Sequence, residues 1–172
     1  MRKQPPLLPL ETLRRVIRVA RVNGTSVLVI ASLVALASAA GQDRFDTFVG
    51  LAVAASGAFE VHGTVLLGGG ARRGLRWLIL SQFLLLFIML GYVWYRMAHV
   101  DVSLIAQLVP DSQLRQVAVQ YGLSVANLKL ELYLGMYFMI AVGTIVYQGA
   151  MIAYYGLRTR AIQAALPLER PS

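Results

Sequence analysis

Residues 22–40 read VNGTSVLVIASLVALASAA, a run of 19 residues without a charged side chain. A helix needs roughly 20 mainly apolar residues to cross a hydrocarbon core of about 30 Å. Three more apolar runs follow, at residues 48–67, about 75–95 and about 132–157. Four runs of this length predict an all-α integral membrane protein, a bundle of four transmembrane helices with a short extracytoplasmic helical segment between the third and the fourth.

The composition of the whole chain agrees with this prediction. Of its 172 residues, 58% are hydrophobic and only 14% are charged, whereas soluble domains are about a quarter charged. A chain of this size could bury only part of such an apolar excess in its own core. The sequence has no cysteine, which excludes disulfides, thiolate metal sites, thiol catalysis and iron–sulfur ligation.

Aromatic residues mark the ends of two of the runs. Trp77 and Trp94 are 17 residues apart, about 26 Å along a helix, and Tyr133 and Tyr154 are 21 residues apart, about 32 Å. Amphipathic rings concentrate at both membrane–water interfaces. Their spacing therefore supports helices that span a bilayer.

The basic residues predict how the chain is oriented. Of the 16 basic residues, four are predicted on one side of the membrane. The other twelve are predicted on the side that holds both termini: Arg2, Lys3, Arg14, Arg15, Arg18, Arg21, Arg72, Arg73, Arg76, Arg158, Arg160 and Arg170. Basic residues accumulate in cytoplasmic loops, so we expect a bacterial inner-type plasma membrane protein with cytoplasmic N and C termini. The net charge of +8 is then a topology signal, and we expect no nucleic-acid partner.

The first run also contains a pattern typical of signal peptides. Residues Ala37, Ser38 and Ala39 follow an apolar stretch and resemble a cleavage site. The basic region before the run is 21 residues long, longer than a usual n-region. We therefore expect the first helix to remain uncleaved.

Residues 1–21 form a basic amphipathic segment that has two interpretations. Apolar residues recur at helical spacing, at Leu10, Leu13, Ile17 and Ala20. Arginines lie on another face, at Arg14, Arg18 and Arg21. The segment could lie along the inner interface with these arginines on anionic lipid headgroups. Alternatively, it is the solvated start of the first helix.

The segment 99–130 is the one sizeable part predicted outside the bilayer, and we expect an extracytoplasmic helical cap. Asp101 is placed to cap a short helix that Pro110 ends. Asp111 is placed to cap a second helix that Gly122 stops, and Ser124 to cap a third that continues into the last membrane helix. The predicted organisation is thus a basic segment 1–21, three transmembrane helices within 22–98, a cap at 99–130, a fourth transmembrane helix at 131–157 and a cytoplasmic tail at 158–172.

Small residues predict which helices approach most closely. The first helix carries a small-xxx-small stripe at Ala31, Ala35 and Ala39. The second carries another at Gly50, Ala54 and Ala58, with Gly57 beside it. Such stripes let helix backbones approach in a membrane. We therefore expect the first and second helices to form the tightest contact.

Glu60 is the single acid inside a predicted span. A charged side chain at the bilayer centre costs about 2.5–3.5 kcal/mol on insertion scales and is by default a candidate functional site. Other polar side chains count to a similar depth, so the predicted proton, ion or substrate site comprises Glu60, His62, Thr64, Gln82, Thr144 and Gln148. His62 is about 200° around the helix from Glu60, so the two cannot hold one ion side by side.

Two functions remain open from the sequence. In the first, a homo-oligomer uses Glu60 as a proton- or cation-coupling group of a transporter or channel. In the second, Glu60 is a hydrogen-bonded staple and the chain is a non-catalytic accessory or scaffold subunit of a larger membrane complex. No catalytic constellation is present, and Gly68–Gly70 reads as a turn because no phosphate-binding motif surrounds it. We expect no enzyme activity, no metal and no cofactor.

Overall fold

The computed structural model describes residues 8–166, and in that range every regular element is a helix. The helices are α1 (Pro9–Ala40), α2 (Arg44–Gly68), α3 (Arg73–Ala98), α4 (Ser103–Leu108), α5 (Asp111–Tyr121), α6 (Val125–Leu157) and α7 (Thr159–Ala165). Arg2, Lys3 and Arg170, which contribute to the predicted charge asymmetry, lie outside the described residues.

Four of these helices are long and apolar enough to cross a membrane. They are α1, α2, α3 and α6, with 32, 25, 26 and 33 residues. The predicted multi-pass membrane helix bundle is thereby confirmed. Each helix extends beyond its apolar run, because helical hydrogen bonding continues past the hydrocarbon core into polar flanking residues.

The chain divides into two compact units, which are described separately. The first consists of the residues up to Ile88 together with those from Tyr147 onward, and the second of Met89–Val146. In the first unit, α1 runs without a break from Pro9 through the described part of the basic segment, which forms its first turns. The apolar face of these turns packs against α7, with Leu13, Val16 and Ala20 in one buried cluster with Ile162 and Leu166.

Glycines allow α1 and α2 to pack closely. A Cβ atom added at Gly57 would lie 2.7 Å from the backbone nitrogen of Leu28 and 2.8 Å from the carbonyl oxygen of Gly24. One added at Gly50 would lie 2.9 Å from the Cβ atom of Ala35. Real Cβ atoms do not approach other atoms this closely, so the two backbones meet where side chains are missing. The predicted tight contact between the first two helices is confirmed.

Two members of the predicted stripes lie outside this contact. Ala58 is exposed whereas Gly57 is buried, because successive residues are about 100° apart around a helix. Ala39 is also exposed, in the last turn of α1, while Ala31 and Ala35 are buried as predicted. Gly24, which the stripe did not include, belongs to the contact, because a Cβ atom there would lie 3.0 Å from the Cβ atom of Glu60.

The connection between α2 and α3 is the predicted glycine turn. Gly70 has a φ of 86°, a conformation that glycine adopts without strain. Just beyond it, a Cβ atom at Gly74 would lie 2.6 Å from the carbonyl oxygen of Gly63 and 2.7 Å from the nitrogen of Leu67. The turn therefore brings the start of α3 directly against the end of α2.

The second unit contains the end of α3, then α4 and α5, and α6 as far as Val146. Gly122 ends α5 with a φ of 66°, and the Ser124 hydroxyl accepts the backbone N–H of Asn127 at 3.1 Å. The predicted stop and the predicted cap are both confirmed. The carboxylate of Asp101 accepts the backbone N–H of Ser103 at 2.9 Å at the start of α4. Side-chain and backbone hydrogen bonds to Ser103 hold the pKa of Asp101 below its usual range.

The predicted role of Asp111 is wrong. Pro110, with an extended ψ of 140°, occupies the position before α5, so Asp111 is the first helical residue and not the cap. Its carboxylate instead lies 3.0 Å from the ammonium group of Lys129 on α6. The Asp111 side chain is 64% exposed and the Lys129 side chain 19%, and surface pairs contribute at most about 1 kcal/mol.

Candidate functional site

Glu60 lies on the buried face of α2 within the first unit. Its side chain is 1% exposed, and Ser56 and Thr64, one turn before and after it, are also buried. Gly57 and Leu67 complete this face. Helical spacing thus places these residues around Glu60 on one face of α2.

Two neutral groups from other helices donate hydrogen bonds to the Glu60 carboxylate. The Tyr155 hydroxyl on α6 donates to Oε1 at 2.6 Å. The Asn23 side-chain amide on α1 donates to Oε2 at 2.7 Å. Within residues 8–166, no lysine or arginine forms a salt bridge with this carboxylate. The acid is thus held by dipoles and not by a counter-ion.

A third hydrogen bond extends this arrangement toward the surface. The Tyr147 hydroxyl on α6 donates to the Asn23 side-chain oxygen at 2.6 Å. Tyr147 is 50% exposed, whereas Tyr155 is fully buried. The chain of donors runs from Tyr147 through Asn23 to Glu60, so these bonds join α1, α2 and α6.

Two buried glutamines belong to the same region and have unsatisfied oxygens. Gln82 on α3 is 0% exposed and Gln148 on α6 is 5% exposed. The Gln82 amide lies near the Glu60 carboxylate and donates a long hydrogen bond of 3.4 Å to Ser81. The Oε1 atoms of both glutamines have no hydrogen-bond partner among the described residues. Buried polar atoms of native proteins are nearly always paired, so each exception requires an explanation.

Counted from the ends of their helices, Glu60, Gln82 and Gln148 lie at a similar depth. Glu60 is eight residues before the end of α2, Gln82 nine residues after the start of α3, and Gln148 nine residues before the end of α6. At about 1.5 Å per residue these separations correspond to about 12–14 Å. This count agrees with the predicted layer of Glu60, Gln82 and Gln148, which stays a prediction.

The other predicted site residues are placed differently. The Thr64 hydroxyl is buried but donates to the Val61 carbonyl oxygen of its own helix at 2.7 Å. His62 is exposed, and its ring packs edge-on against Trp77 with centroids 5.4 Å apart. The structure does not bring His62 to Glu60. Thr144 is half-buried and belongs to the second unit.

Sequence reasoning missed Tyr155, although a signal for it exists. Tyr155 follows Gln148 by seven residues, which returns a helix to almost the same face. Its position near the end of an apolar run is also typical of an interfacial aromatic residue, the role predicted for its neighbour Tyr154. A side chain that points into the bundle was therefore not considered for Tyr155. The structure also adds the hydrogen bond between Asn23 and Tyr147, which joins residues 124 positions apart.

No protein-family model, curated protein or solved structure matches this chain. The function must therefore be inferred from the chemistry of the site. The Glu60 carboxylate and the unpaired Oε1 atoms of Gln82 and Gln148 are buried oxygen acceptors of the first unit. Such oxygens suit a proton or a small hard cation.

Proposed function

We propose that this small polytopic membrane protein binds a proton or a small cation at Glu60 and couples this binding to transport or conduction, without catalysing a chemical reaction. The unpaired Oε1 atoms of Gln82 and Gln148 at the depth of Glu60 carry the proposal. A proton or small cation bound at Glu60 would give these glutamine oxygens the partner that the neighbouring side chains do not supply.

The cost of unsatisfied acceptors, compared with the stabilisation from hydrogen bonds between helices, favours a bound ligand over a purely structural hydrogen-bonded cluster. Leaving a buried acceptor unsatisfied costs about 1–3 kcal/mol. Hydrogen bonds between membrane helices contribute on average only about 0.6 kcal/mol. The bonds that Tyr155 and Asn23 donate to Glu60 therefore do not offset the cost of two unpaired oxygens and a buried acid. A purely structural cluster would gain stability by replacing these residues with apolar ones.

The proposal includes an orientation and an assembly. The excess of basic residues at the end that holds the chain termini supports cytoplasmic N and C termini in a bacterial inner-type membrane. Glu60 then lies in the inner half of the bilayer. Bulky exposed side chains of α3, including Phe83 and Phe87, are available for contacts between subunits of a homo-oligomer.

The burial of Glu60 favours a second candidate function. At 1% exposure, its carboxyl group is enclosed by its own bundle. All four spanning helices also expose large apolar side chains, including Ile30 on α1, Leu51 on α2 and Phe138 on α6. Both features are compatible with a non-catalytic accessory or scaffold subunit of a larger membrane complex, in which Glu60 fixes the helix register.

A flux measurement separates the two functions. The purified protein is reconstituted into liposomes, a membrane potential is imposed with potassium and valinomycin, and proton and sodium fluxes are followed with fluorescent indicators. The variant Glu60→Gln removes the ionisable group while keeping the side-chain volume and one of the two acceptor oxygens. Glu131→Gln is the matched control, because Glu131 is exposed at the start of α6.

We expect a flux above that of empty liposomes for the native protein and for Glu131→Gln, and its loss in Glu60→Gln. Fluxes that are equal in all three proteins would disprove coupling at Glu60. A native protein with no flux for either ion would instead support the accessory function, provided that the reconstituted protein retains its helical circular dichroism spectrum.

A further inference from the structure

A group of exposed arginines lies at one end of the first unit. We call this group the arginine collar; its members are Arg14, Arg18 and Arg21 of α1, Arg73 and Arg76 of α3, and Arg160 of α7. The start of α3 adjoins the glycine turn, and α7 packs on the first turns of α1. Three separate chain segments therefore contribute cations to one end of this unit.

The α1 arginines form a stripe opposite a buried face. Arg14, Arg18 and Arg21 lie within about 60° of one another around the helix, at about 100° per residue. Val16 and Ala20, both 0% exposed, occupy the other side and pack toward α7. Packing of the apolar face thus fixes the direction in which this stripe points.

The collar is not neutralised within the described part of the chain. None of its arginines forms an ion pair or hydrogen bond with an acidic side chain there. Glu11 is the one acid in the first half of α1, and neither the start of α3 nor α7 carries an acid. Six exposed guanidinium groups therefore face the surroundings with their donors available.

The neighbouring exposed residues indicate what the collar contacts. Leu10 is 59% exposed and Val22 is 63% exposed, and both lie on the arginine side of α1. A surface that binds nucleic acid is polar as well as basic, whereas a surface at a bilayer interface combines arginines with apolar residues. This mixture favours a lipid surface.

The depth of the collar agrees with this assignment. Arg21 directly precedes the apolar run that begins at Val22. Arg14 lies about 12 Å before Val22 along the helix, at 1.5 Å per residue. The headgroup layer on each side of a bilayer is roughly 5–8 Å thick, and long arginine side chains reach from helix ends toward that layer. We propose that the arginine collar binds the phosphate groups of anionic phospholipids.

This proposal is independent of ion coupling at Glu60. Its site is a lipid surface, and its occupant is a headgroup such as that of phosphatidylglycerol. Bidentate binding of phosphate by guanidinium supplies the recognition. Free inorganic phosphate carries the same chemistry, so the experiment must separate the two sources.

The two tryptophans allow a test that is specific for one end of α3. Trp77 directly follows Arg76 of the collar, and Trp94 lies toward the other end of the helix. Brominated phosphatidylglycerol and brominated phosphatidylcholine quench tryptophan fluorescence on contact. Their relative association constants are measured with Trp77 alone, in a Trp94→Phe background, and with Trp94 alone, in a Trp77→Phe background.

We expect Trp77 to report a preference for phosphatidylglycerol that Trp94 does not report. The double variant Arg14→Gln/Arg18→Gln should lower that preference about fivefold for each arginine removed. Raising the ionic strength to about 1 M, where the screening length is about 3 Å, should also lower it. The control Arg44→Gln/Arg115→Gln, which removes two exposed arginines outside the collar, should leave it unchanged.

Three results would overturn the proposal. They are equal preferences at Trp77 and Trp94, loss of the preference on adding inorganic phosphate at constant ionic strength, and binding of duplex DNA to the reconstituted protein that the collar variant abolishes. Circular dichroism of each variant establishes that it is folded. The Glu60→Gln variant should keep the lipid preference, which distinguishes failure of this proposal from failure of ion coupling.

Discussion

Tyr154 and Tyr155 are neighbours on α6 whose hydroxyl groups have opposite surroundings. The Tyr155 hydroxyl donates to the Glu60 carboxylate at 2.6 Å. The Tyr154 hydroxyl is buried without a hydrogen-bond partner among the described residues, and the Arg158 guanidinium lies 3.8 Å from its ring centre. Replacing either tyrosine by phenylalanine removes one hydroxyl oxygen. We nevertheless expect the two changes to affect the free energy of unfolding in opposite ways.

We expect Tyr155→Phe to lower the free energy of unfolding by about 1–3 kcal/mol, because it leaves a buried carboxylate oxygen without its donor. Tyr154→Phe should leave the free energy unchanged or raise it, because it removes an unpaired polar atom and keeps the ring under Arg158. Reversible unfolding of both variants in bicelles measures the difference. Equal losses in the two variants would contradict the hydrogen bond to Glu60.

At the scale of the helices, the contact between α1 and α2 depends on missing side chains. We expect Gly57→Ala to destabilise the protein by about 1–3 kcal/mol, a typical cost of overpacking, because its Cβ atom would lie 2.7 Å from the Leu28 nitrogen. Gly149→Ala in α6 meets nothing within 4 Å. It should therefore stabilise by about 0.5–1 kcal/mol through the helix preference of alanine.

Thermal unfolding of both glycine variants in the same detergent measures this contrast. Crosslinking between α1 and α2, through cysteines introduced in the chain, should weaken in Gly57→Ala and persist in Gly149→Ala. A Gly57→Ala protein as stable as Gly149→Ala would show that the two helices do not pack at this point.

Features with a local physical origin were predictable from the sequence. The spans follow from apolar length, the stop at Gly122 from its left-handed conformation, and the cap at Ser124 from its hydroxyl group. Asp111 was misplaced because Pro110, equally local, competes for the same position before α5. Ala58 was misplaced because one residue changes the direction of a helical side chain by about 100°.

At the scale of the whole molecule, the candidate site was only partly predictable. The burial of Glu60 follows from its own helix, and the depth of Gln82 and Gln148 follows from counting residues. The bond from Tyr155 joins residues 95 positions apart, and it depends on the rotation of α6 about its axis. Apolar runs do not encode that rotation, because nearly every face of such a helix is hydrophobic.

The proposed orientation of the whole chain has a direct test, since the sequence contains no cysteine that would need to be removed. We expect a membrane-impermeant maleimide to label Ser112→Cys in intact bacterial cells and to label Gln163→Cys only after the cells are broken. Both positions are exposed. Labelling of Gln163→Cys in intact cells would reverse the proposed topology and move the arginine collar to the outer leaflet.

The unbroken course of α1 has a mechanical consequence. The helix is 32 residues long, about 48 Å, so it exceeds the hydrocarbon core by about 18 Å. Asn23 is anchored to Glu60 and Tyr147, and the arm of α1 that precedes it reaches Pro9, about 21 Å away, with its apolar face packed against α7. A tilt of about 20°, which is ordinary for membrane helices, moves the tip of that arm by about 7 Å. Because α1 has no break between this arm and Asn23, we expect a change in bilayer thickness that tilts the helix to strain the Asn23–Glu60 hydrogen bond.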